Sequence, residues 1–160
     1  MKIEIQIDDE AVRAALKRLE AAAADLTPAM QDIGELLVER TKRRFATGTG
    51  PDGTPWARNA PLTVKRKRGR DQPLVGESGR LSNEIFAIAG LQVVEVGSAL
   101  VYSAVQQFGA AKGQFGRSRR GRPIPWGAIP ARPFLGLAGE DRLDILDILA
   151  EHLATAAGPR

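Results

Sequence analysis

The chain has 160 residues, of which 43% are hydrophobic, so it is long enough for one domain with a modest core and too apolar to be disordered throughout. It has no cysteine, which excludes disulfides, zinc-thiolate sites and cysteine nucleophiles. No apolar run approaches the roughly 20 residues that span a bilayer, and the N-terminus lacks the apolar stretch of a signal peptide. We therefore expect a single domain over residues 1–160, made in a cytoplasm and without a membrane span.

The net charge of +4 is unevenly distributed. Residues 65–70 (KRKRGR) and 112–122 (KGQFGRSRRGR) each contain five basic side chains and no acidic one. Outside these ten, 13 basic side chains face 19 acidic ones, a net charge of −6. An acidic body with two basic runs predicts an anionic or acidic partner for the runs. The basic residues are Lys65, Arg66, Lys67, Arg68 and Arg70 in the first run, and Lys112, Arg117, Arg119, Arg120 and Arg122 in the second.

The first part of the chain predicts one strand followed by two helices. Isoleucines alternate with polar residues in residues 2–8 (KIEIQID), which is typical of a half-buried strand. Apolar residues then recur at three- and four-residue steps, as on one face of a helix. In the first helix these are Val12, Leu16, Leu19 and Ala23. The second helix starts with Thr27 as its cap and Pro28 at its first position, and its apolar side has Met30, Ile33, Leu37 and Phe45.

The middle of the chain predicts a long loop and a β-hairpin. Glycines and prolines interrupt residues 46–80, and loops of this length are usually functional or disordered until they bind a partner. Residues 81–97 contain two strand-like segments that meet near Ala89-Gly90, which favours an antiparallel hairpin. The sequence leaves its register open, because Val93 and Val94 cannot both face the same side.

The last third predicts a short helix, a second loop and a closing helix. Val101, Ala104, Val105 and Phe108 have helical spacing, and Gly109 suits the C-cap. Residues 109–128 form a second basic, glycine-rich loop. The closing helix covers about 139–156, with Leu143, Leu146, Leu149 and Leu153 on one face. The predicted fold class is α+β: a small antiparallel β-sheet packed with about three main α-helices, and two long basic loops.

The residues do not form a catalytic or metal-binding pattern, so we expect no enzyme and no cofactor. The single histidine, His152, lies late in the closing helix, where its side chain interacts favourably with the negative C-terminal end of the helix dipole. The acidic clusters at 8–10 and 140–144 lie at predicted helix N-termini, which explains them better than metal binding does. The glycine-rich stretch 48–56 is not followed by the Gly-Lys-Ser/Thr of a phosphate-binding loop.

Three interpretations of the basic runs remain open. Flexible Lys and Arg side chains suit phosphate contacts that do not depend on sequence, and Phe115 offers one ring for base stacking. The runs equally suit a solvated surface, or contact with the acidic body of a neighbouring subunit. No helix-turn-helix, zinc finger or ribonucleoprotein motif indicates specific DNA reading.

Six motifs follow one another along the chain: Phe45, PDGTPW (51–56), Leu62-Thr63 with Lys65, PLVGESGRL (73–81), VYSAVQQFG (101–109) and IPARPFLGL (129–137). In this order they resemble the phage virion morphogenesis family, which includes the tail-completion proteins of Mu-like phages and prophages. The resemblance covers roughly residues 28–153. The chain departs from the family pattern in a longer turn at 76–79 and in Gln106, where a histidine is expected.

The motif residues that carry the resemblance are Trp56, Gly79, Leu81, Tyr102, Phe108, Gly109, Pro130, Arg132, Pro133, Phe134 and Leu135. We expect the aromatic ones and Leu135 to lie in the core or to anchor loops. Arg132 stands between two prolines and is expected to pair with a carboxylate of its own chain or of the next subunit; the sequence does not choose between them.

The resemblance implies a non-enzymatic structural protein that completes the tail and joins it to the DNA-filled head. It implies a ring of identical chains in the neck or tail-end region, with a hexamer as the expected form, next to other neck or tail proteins. The basic loops would then line a lumen for packaged DNA or contact an acidic neighbour. Assembly in the bacterial host cytoplasm would place the protein in the virion. The alternatives are a non-specific nucleic-acid-binding accessory protein and an assembly chaperone absent from the particle.

Overall fold

The computed structural model describes residues 10–67, 71–76 and 78–158. The elements in this part of the chain are α1 (Glu10–Ala24), α2 (Thr27–Thr47), α3 (Pro61–Arg66), α4 (Arg80–Asn83), β1 (Ile85–Ala89), β2 (Val94–Ser98), α5 (Ser103–Phe108) and α6 (Gly139–Ala157). The predicted α+β class is confirmed, with α1, α2 and α6 as the three main helices and one antiparallel pair of strands. The strand predicted over residues 2–8 lies outside the described residues.

Helix α2 is the central element, because it packs against the β-hairpin and against α6. The apolar side predicted for it is confirmed, since Met30, Ile33 and Phe45 are buried. Gly34 lets the hairpin approach: a Cβ at this position would lie 2.9 Å from the Cβ of Ala87, closer than real contacts of this kind. The glycine is therefore required by helix–sheet packing.

The start of α2 differs by one position from the prediction. Thr27 is the first helical residue, and Leu26 occupies the N-cap position without a side-chain hydrogen bond. The free N–H of Thr27 is instead satisfied by Asp25, whose Oδ1 accepts it at 2.9 Å. A carboxylate takes the place of the predicted threonine cap, which also suits the positive end of the helix.

Strands β1 and β2 form the predicted hairpin, with Ala89 opposite Val94. The turn is closed by the Gly90 N–H, which donates to the Val93 carbonyl at 2.8 Å. Val94 faces Gly34 of α2, whereas Val93 is exposed in the turn. The structure thereby settles the register that the two adjacent valines left open.

The main core cluster lies where the end of α2 meets the hairpin and the proline-rich segment, residues 129–137. It consists of Phe45, Trp56, Leu81, Ile85 and Phe134. The ring of Phe45 contacts Trp56 edge-on, with centroids 5.4 Å apart, and Phe134 at 5.3 Å. Such aromatic pairs add to the stabilisation from buried area. Two of the five residues come from segments outside the helices and strands, so these segments complete the core.

The face predicted for α6 is wrong in its first half. Leu143 and Leu146 are 64% and 61% exposed, while Asp141 is fully buried and Ile145 is half-buried. Helical spacing puts Asp141 and Ile145 on one side, away from Leu143 and Leu146. The prediction followed the spacing of the leucines, whereas Asp141 is buried because it pairs with an arginine of α2.

Helix α1 packs against α6. Arg18 fixes this contact: its Nε and Nη2 donate to the carbonyls of Ala156 and Ala157 at 3.2 and 3.0 Å. The apolar face predicted for α1 is only partly directed towards α6, because Val12 and Leu16 are exposed. The helix was predicted correctly and its buried side was not.

Candidate functional site

The proline-rich segment (residues 129–137) holds the stretch that follows α2. Trp56 Nε1 donates to the Pro133 carbonyl at 2.8 Å. Arg132 donates from Nε to the Ala57 carbonyl at 2.7 Å and from Nη2 to the Arg58 carbonyl at 3.0 Å. The tryptophan and the arginine of two distant motifs therefore act together, tying residues 56–58 to the proline-rich segment.

Gln107 of α5 holds the same segment from the other side. Its Oε1 accepts the backbone N–H groups of Phe134 and Leu135 at 2.9 and 3.0 Å, and its Nε2 donates to the Leu135 carbonyl at 2.9 Å. An amide side chain can do this because its oxygen accepts while its NH2 group donates. Nothing in the sequence singles out Gln107, because its neighbour Gln106 has the same side chain and makes none of these contacts.

Gly109 ends α5, as predicted, and the structure adds a second reason for the glycine. Its φ is +74°, and a Cβ there would lie 2.7 Å from the Ile129 carbonyl oxygen and 2.8 Å from the Ala131 nitrogen. Both atoms are backbone and cannot move aside easily. Gly79 has φ +62° at the N-cap position of α4, two residues before the buried Leu81. These two motif glycines serve chain geometry.

Two arginines of α2 receive the acidic start of α6. Arg44 Nη1 donates to the carbonyls of Phe134 and Gly136 at 3.1 and 2.8 Å, and its Nη2 donates to Asp141 Oδ2 at 2.8 Å. The same carboxylate oxygen accepts the Ala138 N–H at 2.7 Å. Asp141 thus both caps the N-terminus of α6 and supplies the counter-charge of a buried arginine.

Arg40, one turn earlier, pairs with Glu140 at 2.9 Å and with Asp144 at 2.6 Å. The acidic cluster of α6 is therefore neutralised by arginines of α2. In the described ranges, no group of three or more histidine or acidic side chains is arranged to hold a metal ion.

The motif residues divide into buried and exposed ones. Trp56 and Phe134 are buried, as expected, and Leu135 is half-buried; Leu81, for which no such expectation was made, is also buried. For Tyr102 and Phe108 the expectation of a core or anchoring role is wrong, because they are 45% and 78% exposed. They lie at the two ends of a helix of only six residues, whose outer side is not covered by the described residues.

Arg132 and its flanking prolines have different surroundings. Arg132 is buried, whereas Pro130 and Pro133 are exposed. Burial lowers the pKa of the Arg132 guanidinium. The expected pairing with a carboxylate of its own chain is not found in the described residues, where Arg132 donates to backbone carbonyls.

The first basic run belongs to a segment that is partly helical, since Lys65 and Arg66 are the last residues of α3 and both are exposed. Lys67 has a structural contact: its Nζ donates to the carbonyls of Gln72 and Val75, each at 2.8 Å. Arg68 and Arg70 lie outside the described residues. Among the described residues of this run, Lys65 and Arg66 are therefore the exposed cations.

The second basic run lies on a basic arm (residues 110–129) that leaves and re-enters the fold. Ala110 and Ile129 pair at its base, and Arg117 and Pro123 pair near its tip. Between them, the Phe115 N–H donates to the Ile124 carbonyl at 2.8 Å. The arm is thus a hairpin-like excursion with its own hydrogen bonds. All five of its basic side chains are exposed: Lys112, Arg117, Arg119, Arg120 and Arg122.

Aromatic side chains accompany the arginines on the basic arm. The Arg122 guanidinium carbon lies 5.4 Å from the centroid of the Trp126 ring, within the range of a cation–π contact. Trp126 and Phe115 are both exposed. The arm therefore presents positive charge and aromatic surface together, a combination that suits contact with another macromolecule.

Comparison with known proteins identifies the family. The sequence model of the phage virion morphogenesis family matches residues 7–154. The chain belongs to this family. It is 30% identical over 151 residues to the Mu-like prophage FluMu G protein 2 of Haemophilus influenzae, covering 94% of this chain and 95% of that protein. It is 28% identical over 126 residues to the tail completion protein S of Escherichia phage P2, covering 76% and 80% of the two chains. No solved structure matches the chain.

The family resemblance inferred from the motifs is therefore confirmed, and the match extends further towards the N-terminus than the motifs did. Among the described residues, no helix has the length and apolar character needed to cross a membrane.

Proposed function

We propose that the protein is a structural, non-enzymatic component of a phage virion that completes the tail and joins it to the DNA-filled head. The likeness to a tail completion protein carries the first part of this proposal. The second part rests on the molecule itself: a basic arm extends from a chain that is acidic outside its two basic runs, as expected of a part that meets a second surface.

The proposed working form is a ring, with a hexamer as the expected stoichiometry, in the neck or tail-end region. A ring interface is heterologous, so a basic arm can meet the acidic body of the next copy around the whole circle. The exposed apolar residues of two main helices, Val12, Leu16, Leu143 and Leu146, support burial in such an assembly. Other neck or tail proteins would contact the open faces of the ring.

The experiment is electron microscopy of lysates from a phage that lacks this gene. Filled heads beside separate tails are expected, whereas intact infectious particles would refute the proposal. Complementation then tests the arm with Arg119→Glu plus Arg120→Glu, and a matched control with Lys42→Glu plus Arg142→Glu, which are exposed cations outside the arm. The arm variant is expected to lower the titre at least tenfold, and the control to leave it within about twofold.

A nucleic-acid-binding accessory role is the second candidate, and the pairing of Arg122 with Trp126 is the observation that favours it. Arginine over an aromatic ring beside further cations suits sequence-independent contact with nucleic acid. Random duplex DNA is the probe. Binding of the isolated protein that weakens steeply with salt, together with normal particles from the deletion phage, would establish this second role in place of the first.

A further inference from the structure

A groove of about 630 Å³ lies beside the proline-rich segment, between α3, α4 and α5. Its wall includes four cationic side chains, Arg58, Lys67, Arg80 and Arg132. Arg80 is paired with Glu84 at 2.8 Å and Lys67 donates to backbone carbonyls, so Arg58 and Arg132 are the cations that remain for a ligand. None of the described residues that line it is acidic. The groove meets the basic arm only at its base, through Ala128 and Ile129, and the five cations of the arm are not among its lining residues.

Arg132 distinguishes this groove from an ordinary basic surface. Only 7% of the residue is exposed, yet the contacts that hold its guanidinium are backbone carbonyls, those of Ala57 and Arg58. A carbonyl accepts a hydrogen bond and carries no net charge, and a guanidinium has five N–H donors. Arg44 shows how this fold treats a buried arginine when a counter-charge is available, because it meets Asp141 at 2.8 Å. Arg132 has no such carboxylate among the described residues.

We propose that the groove binds a glutamate or aspartate side chain of a neighbouring protein chain, and that Arg132 receives its carboxylate. The guanidinium is held in place by the protein before the ligand arrives, so little side-chain freedom is lost on binding. A carboxylate can accept two hydrogen bonds from the guanidinium at once. It also supplies a counter-charge, which a buried cation needs because it has lost its contact with water. That the donor is a neighbour in the virion rests on the proposed function; the preference of the groove for a carboxylate does not.

The shape of the site favours an acidic protein segment over DNA. Duplex DNA carries its phosphates on a stiff backbone, which suits exposed cations such as those of the basic arm. A recessed guanidinium is reached more easily by a carboxylate at the end of a flexible side chain. Arg58 is exposed at the same groove and provides a second positive charge for an acidic segment.

Gln106→Glu tests the proposal with a substitution that keeps the size of the side chain. Gln106 lines the groove, and its backbone carbonyl accepts the backbone N–H of Arg132 at 2.8 Å. Gln106→Glu adds a carboxylate to the groove wall from within the chain, so it should compete with an external acid. The matched control is Gln31→Glu, the same substitution at an exposed position of α2 outside the groove.

The experiment is an NMR titration of the full chain with a capped tetrapeptide that contains two glutamates, and with its glutamine counterpart. The glutamate peptide is expected to shift the Arg132 Nε–H resonance and those of the groove until saturation, with at least tenfold higher affinity than the glutamine peptide. Gln106→Glu should weaken the glutamate peptide at least tenfold, and Gln31→Glu should change its affinity less than twofold.

Three results would overturn the carboxylate site: no shift at Arg132, equal affinity for both peptides, or a shift at Arg132 with a short random duplex and none with the glutamate peptide. The comparison of the two peptides on the unmodified protein needs no variant to fold. It is also independent of head–tail joining. Intact particles from the deletion phage together with groove-specific peptide binding would refute the proposed function and leave the carboxylate site standing.

Discussion

The buried pair of Arg44 and Asp141 makes the strongest prediction about stability. Asp141→Asn keeps the size of the side chain and removes its charge, so it leaves no cavity. The change leaves Arg44, itself buried, without its counter-charge. Loss of one partner of a buried pair costs about 3–5 kcal/mol. At about 2–4 °C of melting temperature per kcal/mol for a chain of this length, we expect the Tm to fall by roughly 6–20 °C.

The assay is urea unfolding followed by circular dichroism, with Asp147→Asn as the control. Asp147 is exposed on the same helix, so its loss should change the free energy of unfolding by less than about 0.5 kcal/mol. A double-mutant cycle with Arg44→Met should give a coupling energy of roughly 2–3 kcal/mol. If Asp141→Asn is as stable as Asp147→Asn, the carbonyls of Phe134 and Gly136 suffice for Arg44, and the reasoning is refuted.

Two further predictions concern turns. Gly109→Ala and Gly121→Ala each place a side chain at positive φ, which costs roughly 1–2 kcal/mol. Gly109→Ala should lose more stability than this, because its Cβ would also lie against the Ile129 carbonyl, whereas the Cβ at 121 would meet no atom. Equal free energies of unfolding for the two variants would contradict this. Hydrogen bonds from the Thr54 hydroxyl and N–H lower the pKa of Asp52 below 3.8. The ionised Asp52 carboxylate therefore stabilises the fold above that pH, and this stabilisation is lost as the pH falls through the folded-state pKa. In a plot of the free energy of unfolding against pH, Asp52→Asn should therefore show a shallower decrease on the acid side.

Periodic patterns along the chain predicted the elements but not their buried sides. Three- and four-residue spacing located α1, α2, α5 and α6, and two strand-like segments located the hairpin. Which side of a helix is buried depends on what packs against it. Leu143 and Leu146 look like core residues in the sequence, and their exposure follows from the burial of Asp141 instead.

The contacts that organise the site could not be predicted because they join residues far apart in sequence. Arg44 and Asp141 are 97 positions apart, and Trp56 and Pro133 are 77 apart. A single sequence contains no record of such pairings. Gln106 and Gln107 show this directly, because they are adjacent and have the same side chain. Only the fold makes Gln107 hold the proline-rich segment and places Gln106 in the groove wall.

The residues that identify the family are largely different from those proposed to meet a partner. Trp56, Arg132 and Phe134 face inward and tie distant segments together, so their order along the chain marks the fold. The basic arm carries its charges outward, and none of its five cations is a motif residue. Arg132 belongs to both groups, because its donors hold the chain and its charge has no counter-charge among the described residues. A motif residue that the fold alone does not neutralise is where a second chain would be expected to complete the structure.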